Sequence, residues 1–162
     1  MYPNKGFTLL ELVITLLILM SVFLIFLPLG GSFFNRNSLE HRTNIIIQAI
    51  KYAKNKSQID GKAMVLSELA ENDGWVHGMQ LFIDNTGNYR FGRGDQLLKK
   101  WTWDDKITKV EWHGFSSDHY LLFNNAVQNS AVNGYFALKE SGKVKSKIIL
   151  NRLGRVRVEH LS

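Results

Sequence analysis

Lys5-Gly6-Phe7-Thr8-Leu9-Leu10-Glu11-Leu12 opens an apolar run over residues 7–29 in which Glu11 carries the one charged side chain. As a helix, residues 7–29 would extend ~34 Å, enough to cross the ~30 Å hydrocarbon core of a bilayer. A carboxylate in hydrocarbon costs on the order of 2.5–3.5 kcal/mol, so Glu11 needs a partner or a role. The run therefore predicts a membrane-inserted helix whose single carboxylate has a dedicated function.

Two alternatives explain less of this pattern. A secretory signal peptide has a shorter apolar core of roughly 7–15 residues, followed by a small-residue cleavage site. Here the core is longer, and Leu29-Gly30-Gly31 is a poor cleavage site. A plain single-span anchor explains the length of the run but leaves Glu11 unexplained.

The segment around Gly6, Phe7 and Glu11 resembles the processing site of type IV pilins and type II secretion pseudopilins. In that family, a prepilin peptidase cuts after the glycine and methylates the new N-terminal phenylalanine. The resemblance assigns cleavage to Gly6, methylation to Phe7 and assembly to Glu11. In an assembled filament, Glu11 would neutralise the terminal amine of a neighbouring subunit, because each charge is tolerable in an apolar core only when paired.

The resemblance also implies an organisation and a location. Residues 1–6 would be the leader peptide, 7–29 the transmembrane half of a long helix, 30–61 its amphipathic half and 62–162 a β-rich domain. The protein would cross the bacterial inner membrane once, with its C-terminal domain in the periplasm. Its partners would be the prepilin peptidase and other pilins, in a pilus or pseudopilus.

The rest of the chain changes from a helical pattern to a strand pattern. Leu39, Ile46, Ile50 and Ala53 form an apolar stripe, Pro28 favours a kink, and Asp60-Gly61 is a helix stop. Short apolar runs then predict strands over 63–66, 79–83, 89–91, 97–103, 109–112, 120–123, 135–138, 145–150 and 155–158, with a hairpin turn at 84–88. A helix followed by many strands predicts an α+β fold, with the helix packed on antiparallel sheet.

The C-terminal segment holds most of the excess positive charge. Residues 139–162 carry seven Lys/Arg against two Glu, a net charge of +5 out of +6 for the chain. Lys143, Lys145 and Lys147 alternate with smaller residues, so a regular strand would project them from one face. Arg155 and Arg157 would lie ~6.6 Å apart along a strand, near the spacing of successive phosphates, which guanidinium groups bind in bidentate fashion.

Gly154-Arg155-Val156-Arg157 is similar to the Gly-Arg-x-Arg motif of FimT-type minor pilins, which bind DNA in natural transformation. The chain, which has no cysteine, resembles the GspH/FimT family as a whole. This resemblance assigns DNA contacts to Arg155 and Arg157, with Gly154 in the motif. Charge and facing add a further set: Arg152, Lys143, Lys145 and Lys147. Binding of double-stranded DNA is expected to be phosphate-directed and sequence-indifferent.

Other interpretations of the basic segment stay open at this point. The cations could solvate an edge strand and discourage aggregation, or meet an acidic pilin partner. The protein could equally be a structural pseudopilin of a type II secretion system, or a subunit that primes pilus assembly, without DNA binding. The five histidines lack metal-ligand spacing, and no nucleophile, base and acid are arranged as in a hydrolase, so neither an enzyme, a cofactor nor a metal is predicted.

Overall fold

The computed structural model describes residues 8–70, 74–103, 108–126 and 130–161, and the side chains of 25–37 and Ala70 lie outside that description. Two units divide the chain, Met1–Asn37 and Ser38–Ser162. Gly6 and Phe7, the predicted processing site, lie outside the described residues.

One long helix, α1, runs from Leu9 to Asp60. The backbone remains helical through Pro28, where a kink was predicted. The helix ends where the Asp60-Gly61 pair predicts it, because Gly61 takes φ +65°, a left-handed conformation that a glycine adopts without strain. Within the part of the chain that the structure describes, no helical stretch combines the length and hydropathy needed to span a bilayer.

Among the described residues, eight strands follow and form two antiparallel four-stranded sheets. The first sheet has the order β3-β2-β1-β5 and the second the order β4-β6-β7-β8. The strands are β1 Met64–Ala70, β2 Gly74–Ile83, β3 Gln96–Thr102, β4 Thr108–Gly114, β5 Tyr120–Phe123, β6 Gly134–Glu140, β7 Lys143–Leu150 and β8 Val156–His160. The predicted α+β class is confirmed, and most predicted strands are present with longer bounds.

The core of the second unit is a single apolar cluster shared by α1 and both sheets. The stripe predicted on the helix, Leu39, Ile46, Ile50 and Ala53, is buried in it. An aromatic contact joins the sheets, because the Phe136 ring lies 5.0 Å from that of Trp75. Within the second sheet, the same ring lies 4.6 Å from that of Trp112. Each large side chain buried in this way contributes about 1.5–3 kcal/mol.

The hairpin predicted between 79–83 and 89–91 is wrong. Residues 89–91 form no strand, and β2 pairs instead with β3, beginning at Ile83 and Gln96. The intervening loop is held by side chains: Asp84 accepts backbone hydrogen bonds from Thr86, Gly87 and Tyr89, and Asp95 accepts them from Asn85 and Gly92. Local side-chain hydrogen bonds therefore replace the strand ladder that the pattern predicted.

Candidate nucleic-acid interface

The turn between β7 and β8 is held by Asn151. Its side-chain oxygen accepts hydrogen bonds from the backbone nitrogens of Leu153 at 3.0 Å and Arg155 at 2.9 Å. Its carbonyl accepts one from Gly154 at 2.8 Å, and its own amide donates to Arg155 at 3.2 Å. An asparagine that satisfies the amides of the following residues fixes such a turn, so the backbone that carries Arg155 is ordered.

Gly154 is buried under the side chain of Lys54 on α1. Its φ of +68° favours glycine, and a Cβ atom there would lie 3.5 Å from Cδ of Lys54. Nζ of Lys54 donates a hydrogen bond of 2.9 Å to the carbonyl of Leu153. The glycine of the predicted motif therefore has a structural role: it lets the turn close and pack against the helix.

Arg155 and Arg157 are both exposed, and the valines that alternate with them are half-buried. The prediction that one strand carries both arginines needs correction, because β8 begins at Val156 and Arg155 is the last residue before it. The turn hydrogen bonds described above, not the strand ladder, fix the backbone of Arg155. Arg152 lies exposed within the same turn.

The three lysines of β7 do not share a face, contrary to the prediction. Lys147 pairs with Ala137, but a register shift at Leu138/Lys139 leaves Lys145 without a paired residue, and Lys143 pairs with Glu140. Residues paired directly across a ladder lie on the same face, and successive residues of β6 alternate. Lys143 therefore shares the face of Glu140, opposite to that of Lys147. The extra residue, a β-bulge at Lys145, breaks the alternation on which the prediction depended.

The outer face of the second sheet carries further cations that the sequence interpretation missed. Lys109 pairs with Lys139 in the ladder. Lys147 lies on the next strand, two residue pairs further along, and Arg157, which pairs with Ile149, lies on the strand after that, two pairs further again. Strands ~4.8 Å apart and a rise of ~3.3 Å per residue give this diagonal a length of ~20 Å. The signal was in the strand alternation of 109–112 and 135–138, but sequence alone does not say which strands are neighbours.

Two carboxylates flank this diagonal and pair with its cations. Oε2 of Glu111 lies 2.6 Å from Nζ of Lys139, and Oε1 of Glu159 lies 3.0 Å from Nη2 of Arg157. The hydrogen bond from Lys139 is the largest reason why the pKa of Glu111 lies below its ordinary value. A ligand phosphate at this face would therefore compete with carboxylates of the protein for two of the cations.

The outer face also carries an aromatic ring, that of Tyr135, beside the cations. The ring of Tyr135 stacks on the imidazole of His113 at 4.9 Å, and Nζ of Lys147 lies 5.1 Å from the Tyr135 ring centroid. The ladder puts Tyr135 two strands from Arg157, on the same face of the sheet. No group of His, Asp or Glu among the described residues could hold a metal ion.

At the other end of the chain, Glu11 forms a capping box with Thr8. The Glu11 carboxylate accepts hydrogen bonds of 3.2 Å from the amide and the hydroxyl of Thr8, whose hydroxyl accepts one of 3.2 Å from the amide of Glu11. This reciprocal arrangement satisfies donors that the first turn of a helix leaves free. In the single chain, the predicted assembly carboxylate therefore stabilises the start of α1.

Two comparisons with known proteins find similarity, one to a sequence motif and one to solved structures. Residues 1–27 match the prokaryotic N-terminal methylation motif. The type IV minor pilin FimU of Pseudomonas aeruginosa superposes with a TM-score of 0.59 at 17% identity, over 78% of this chain and 92% of FimU. The fold is pilin-like. A second crystal form of FimU gives a TM-score of 0.53 at 19% identity, over 76% and 91% of the two chains.

The pilin-like fold and the N-terminal motif agree with the resemblance to type IV pilins that the sequence indicated. No curated protein sequence matches the chain significantly. The chain is thus type IV pilin-like in its N-terminal motif and in its fold.

Proposed function

We propose that this protein is a minor type IV pilin that binds double-stranded DNA and supports DNA uptake in natural transformation. The observation that carries the proposal is the pair of exposed arginines at one end of a basic diagonal: the turn orders the backbone of Arg155, and the β7–β8 ladder orders that of Arg157. Guanidinium groups bind phosphates in bidentate fashion, and an ordered backbone reduces the entropy lost on binding. Arg152 adds positive charge in the turn and Lys147 adds it on the outer face, while Lys145 lies at the bulge, further along β7.

The remaining parts of the proposal concern processing and assembly. Residues 1–6 are a leader that the prepilin peptidase removes after Gly6, and Phe7 becomes the methylated N-terminus. Residues 7–29 anchor the subunit in the inner membrane, with the domain from 62 to 162 in the periplasm, until Glu11 pairs with a neighbouring pilin. The N-terminal methylation motif over residues 1–27 supports these steps. No enzymatic activity, cofactor or metal belongs to this function.

An electrophoretic mobility shift tests DNA binding, using the full-length chain in detergent micelles and duplex DNA at several salt concentrations. We expect Arg155→Gln/Arg157→Gln to weaken the retardation strongly, and the log–log salt slope of the remaining binding to shrink by roughly 0.9 for each phosphate contact removed. The matched control is Lys62→Gln/Arg93→Gln, which removes two exposed cations from other parts of the chain. No retardation of the unmodified protein at low salt would overturn DNA binding.

A second candidate function is that of a structural subunit, in a type II secretion pseudopilus or at the priming stage of pilus assembly, without DNA binding. The ion pairs of Lys139 with Glu111 and of Arg157 with Glu159 favour it, since they show that part of the basic face is neutralised within the subunit. The description of FimU as a type IV minor pilin favours the pilus over the secretion system. Under this alternative, the arginine variants change assembly or secretion, or nothing.

A further inference from the structure

The outer face of the first sheet carries a groove of about 450 Å³ that is separate from the basic face. Ser67 of β1, Gln80 of β2 and Lys100 of β3 contribute to its lining from the sheet. The loop between β2 and β3 contributes one wall through Tyr89 and Arg90, and the segment before β5 contributes further residues, among them His119. The volume falls in the range of about 300–1,000 Å³ that is typical of sites for small ligands.

The groove is organised before any ligand arrives. The rings of Tyr89 and Tyr120 stack at 4.9 Å, and that of Phe91 lies edge-on to Phe82 of the sheet at 5.4 Å. Asp84 fixes the near end of the same loop because its carboxylate accepts hydrogen bonds from the backbone amides of Thr86, Gly87 and Tyr89. A binding wall that is already ordered loses less conformational entropy when a ligand binds.

The groove lining carries more positive than negative side chains. Neither Arg90 nor Lys100 has a carboxylate partner among the described residues, and both side chains are exposed. Among the described residues of the lining, Glu68 supplies the one carboxylate; it is 9% exposed, and its Oε1 is bonded to Nδ1 of His119 at 3.0 Å. With neutral histidine, the sum of Arg90, Lys100 and Glu68 is +1.

We infer that the groove binds the carboxylate of a short peptide segment. One negative charge neutralises the net charge of the lining, whereas a phosphate, with a charge of about −1.5 to −2, would leave an excess beside the nearly buried Glu68. The rings of Tyr89 and Phe91 offer apolar contact to the residue next to the carboxylate. The carboxylate could come from an acidic side chain or from the C-terminus of another chain, and the probes below separate these sources.

Isothermal titration calorimetry of the full-length protein in detergent micelles tests the inference with blocked dipeptides. We expect acetyl-Phe-Glu-amide, with a side-chain carboxylate, to bind at least tenfold more tightly than its neutral isostere acetyl-Phe-Gln-amide. Acetyl-Gln-Phe with a free C-terminus reports capture of a chain end. Tighter binding of inorganic phosphate than of either acidic peptide would overturn the assignment to carboxylate.

Variants locate the binding within the protein. Arg90→Gln/Lys100→Gln should weaken the acidic peptide at least tenfold, while Lys62→Gln/Arg93→Gln, which lies outside the groove lining, should leave its affinity within twofold. Equal binding of acidic and neutral peptides, no binding of either, or equal loss in both variants would contradict the inference. The groove variant should retain DNA retardation, so a failure here is distinct from a failure of the proposed DNA function.

Discussion

At the scale of single residues, the ion pairs of the outer face determine how much positive charge a ligand meets. Arg157 is bound to Glu159 at 3.0 Å, so a phosphate must displace that carboxylate or share the guanidinium with it. Exposed ion pairs contribute about 0.2–1 kcal/mol, and competition of this size changes an affinity by up to about fivefold.

Glu159→Gln should therefore raise the affinity for duplex DNA by about two- to fivefold at low salt, because it removes the competing carboxylate and its repulsion of phosphate. Mobility shifts of the two proteins at matched salt measure the change. Glu40→Gln, at an exposed position on α1, is the control for net charge. An affinity that is unchanged or reduced in Glu159→Gln would show that this face does not meet phosphate.

Gly154→Ala tests the turn itself. Alanine at φ +68° costs about 1–2 kcal/mol, and its methyl group would lie 3.5 Å from the Lys54 stem, an ordinary contact. We expect a loss of stability of that size in chemical denaturation, together with weaker DNA binding because the backbone of Arg155 moves. A variant with unchanged stability would mean that the turn adopts another conformation in solution.

At the scale of elements, the bulge in β7 separates two lysines that regular alternation would unite. Lys147 lies on the outer face beside Ala137, and Lys143 pairs with Glu140 on the other. Lys147→Gln should weaken DNA binding several-fold and reduce the salt slope by roughly 0.9, while Lys143→Gln should leave both nearly unchanged. Equal effects of the two substitutions would contradict the assignment of faces.

The loop between β2 and β3 should depend on pH through Asp84. Partial burial acts to raise the pKa of this carboxyl, but hydrogen bonds from Tyr89, Gly87 and Thr86 outweigh burial and hold the pKa below its ordinary value. A group with a depressed folded pKa stabilises the fold above its unfolded pKa, about 3.9 for Asp, and the stabilisation is lost as the pH falls through the folded value.

Hydrogen exchange of the Thr86, Gly87 and Tyr89 amides measures this dependence. We expect constant protection at pH 5–7, after correction for the intrinsic exchange rate, and a decline below about pH 4. Asp84→Asn should lose part of the protection at every pH, because an amide nitrogen replaces one of the two accepting oxygens. Protection that persists unchanged in the asparagine variant would exclude this role of Asp84.

The accuracy of the predictions made from the sequence also differs between elements. The helix and most strands were predicted from periodicity, because burial on one face imposes a period. The end of the helix was predicted from the Asp60-Gly61 pair. The strand predicted at 89–91 is absent because Asp84 and Asp95 accept hydrogen bonds from the backbone amides of this loop. The bulge and the neighbours Lys109 and Lys139 could not be predicted, since strand order and register depend on long-range pairing. In the candidate site, the Gly-Arg-x-Arg motif indicated Arg155 and Arg157. The diagonal of cations from Lys109 to Arg157 could not be predicted from the sequence.

At the scale of the whole molecule, the capping role of Glu11 conflicts with the assembly role proposed for it. In the single chain its carboxylate caps the helix start with Thr8, and in the proposed filament it neutralises the terminal amine of a neighbour. Glu11→Gln separates the roles, because glutamine can complete a capping box but carries no charge. We expect this variant to reach the membrane in normal amount and to be absent from sheared filaments, as measured by immunoblot. Normal incorporation would contradict the proposed assembly role.

The ladder between β7 and β8 has a mechanical consequence for the proposed DNA-binding function. Arg155 and Arg157 lie where β8 begins, and β8 is paired with β7 from Leu150↔Val156 to Ser146↔His160. A pull directed along β8 would load these hydrogen bonds in shear, so that several must rupture together. A pull across the sheet would open them one after another, like a zipper. The subunit should therefore resist tension far better along its last strand than perpendicular to it.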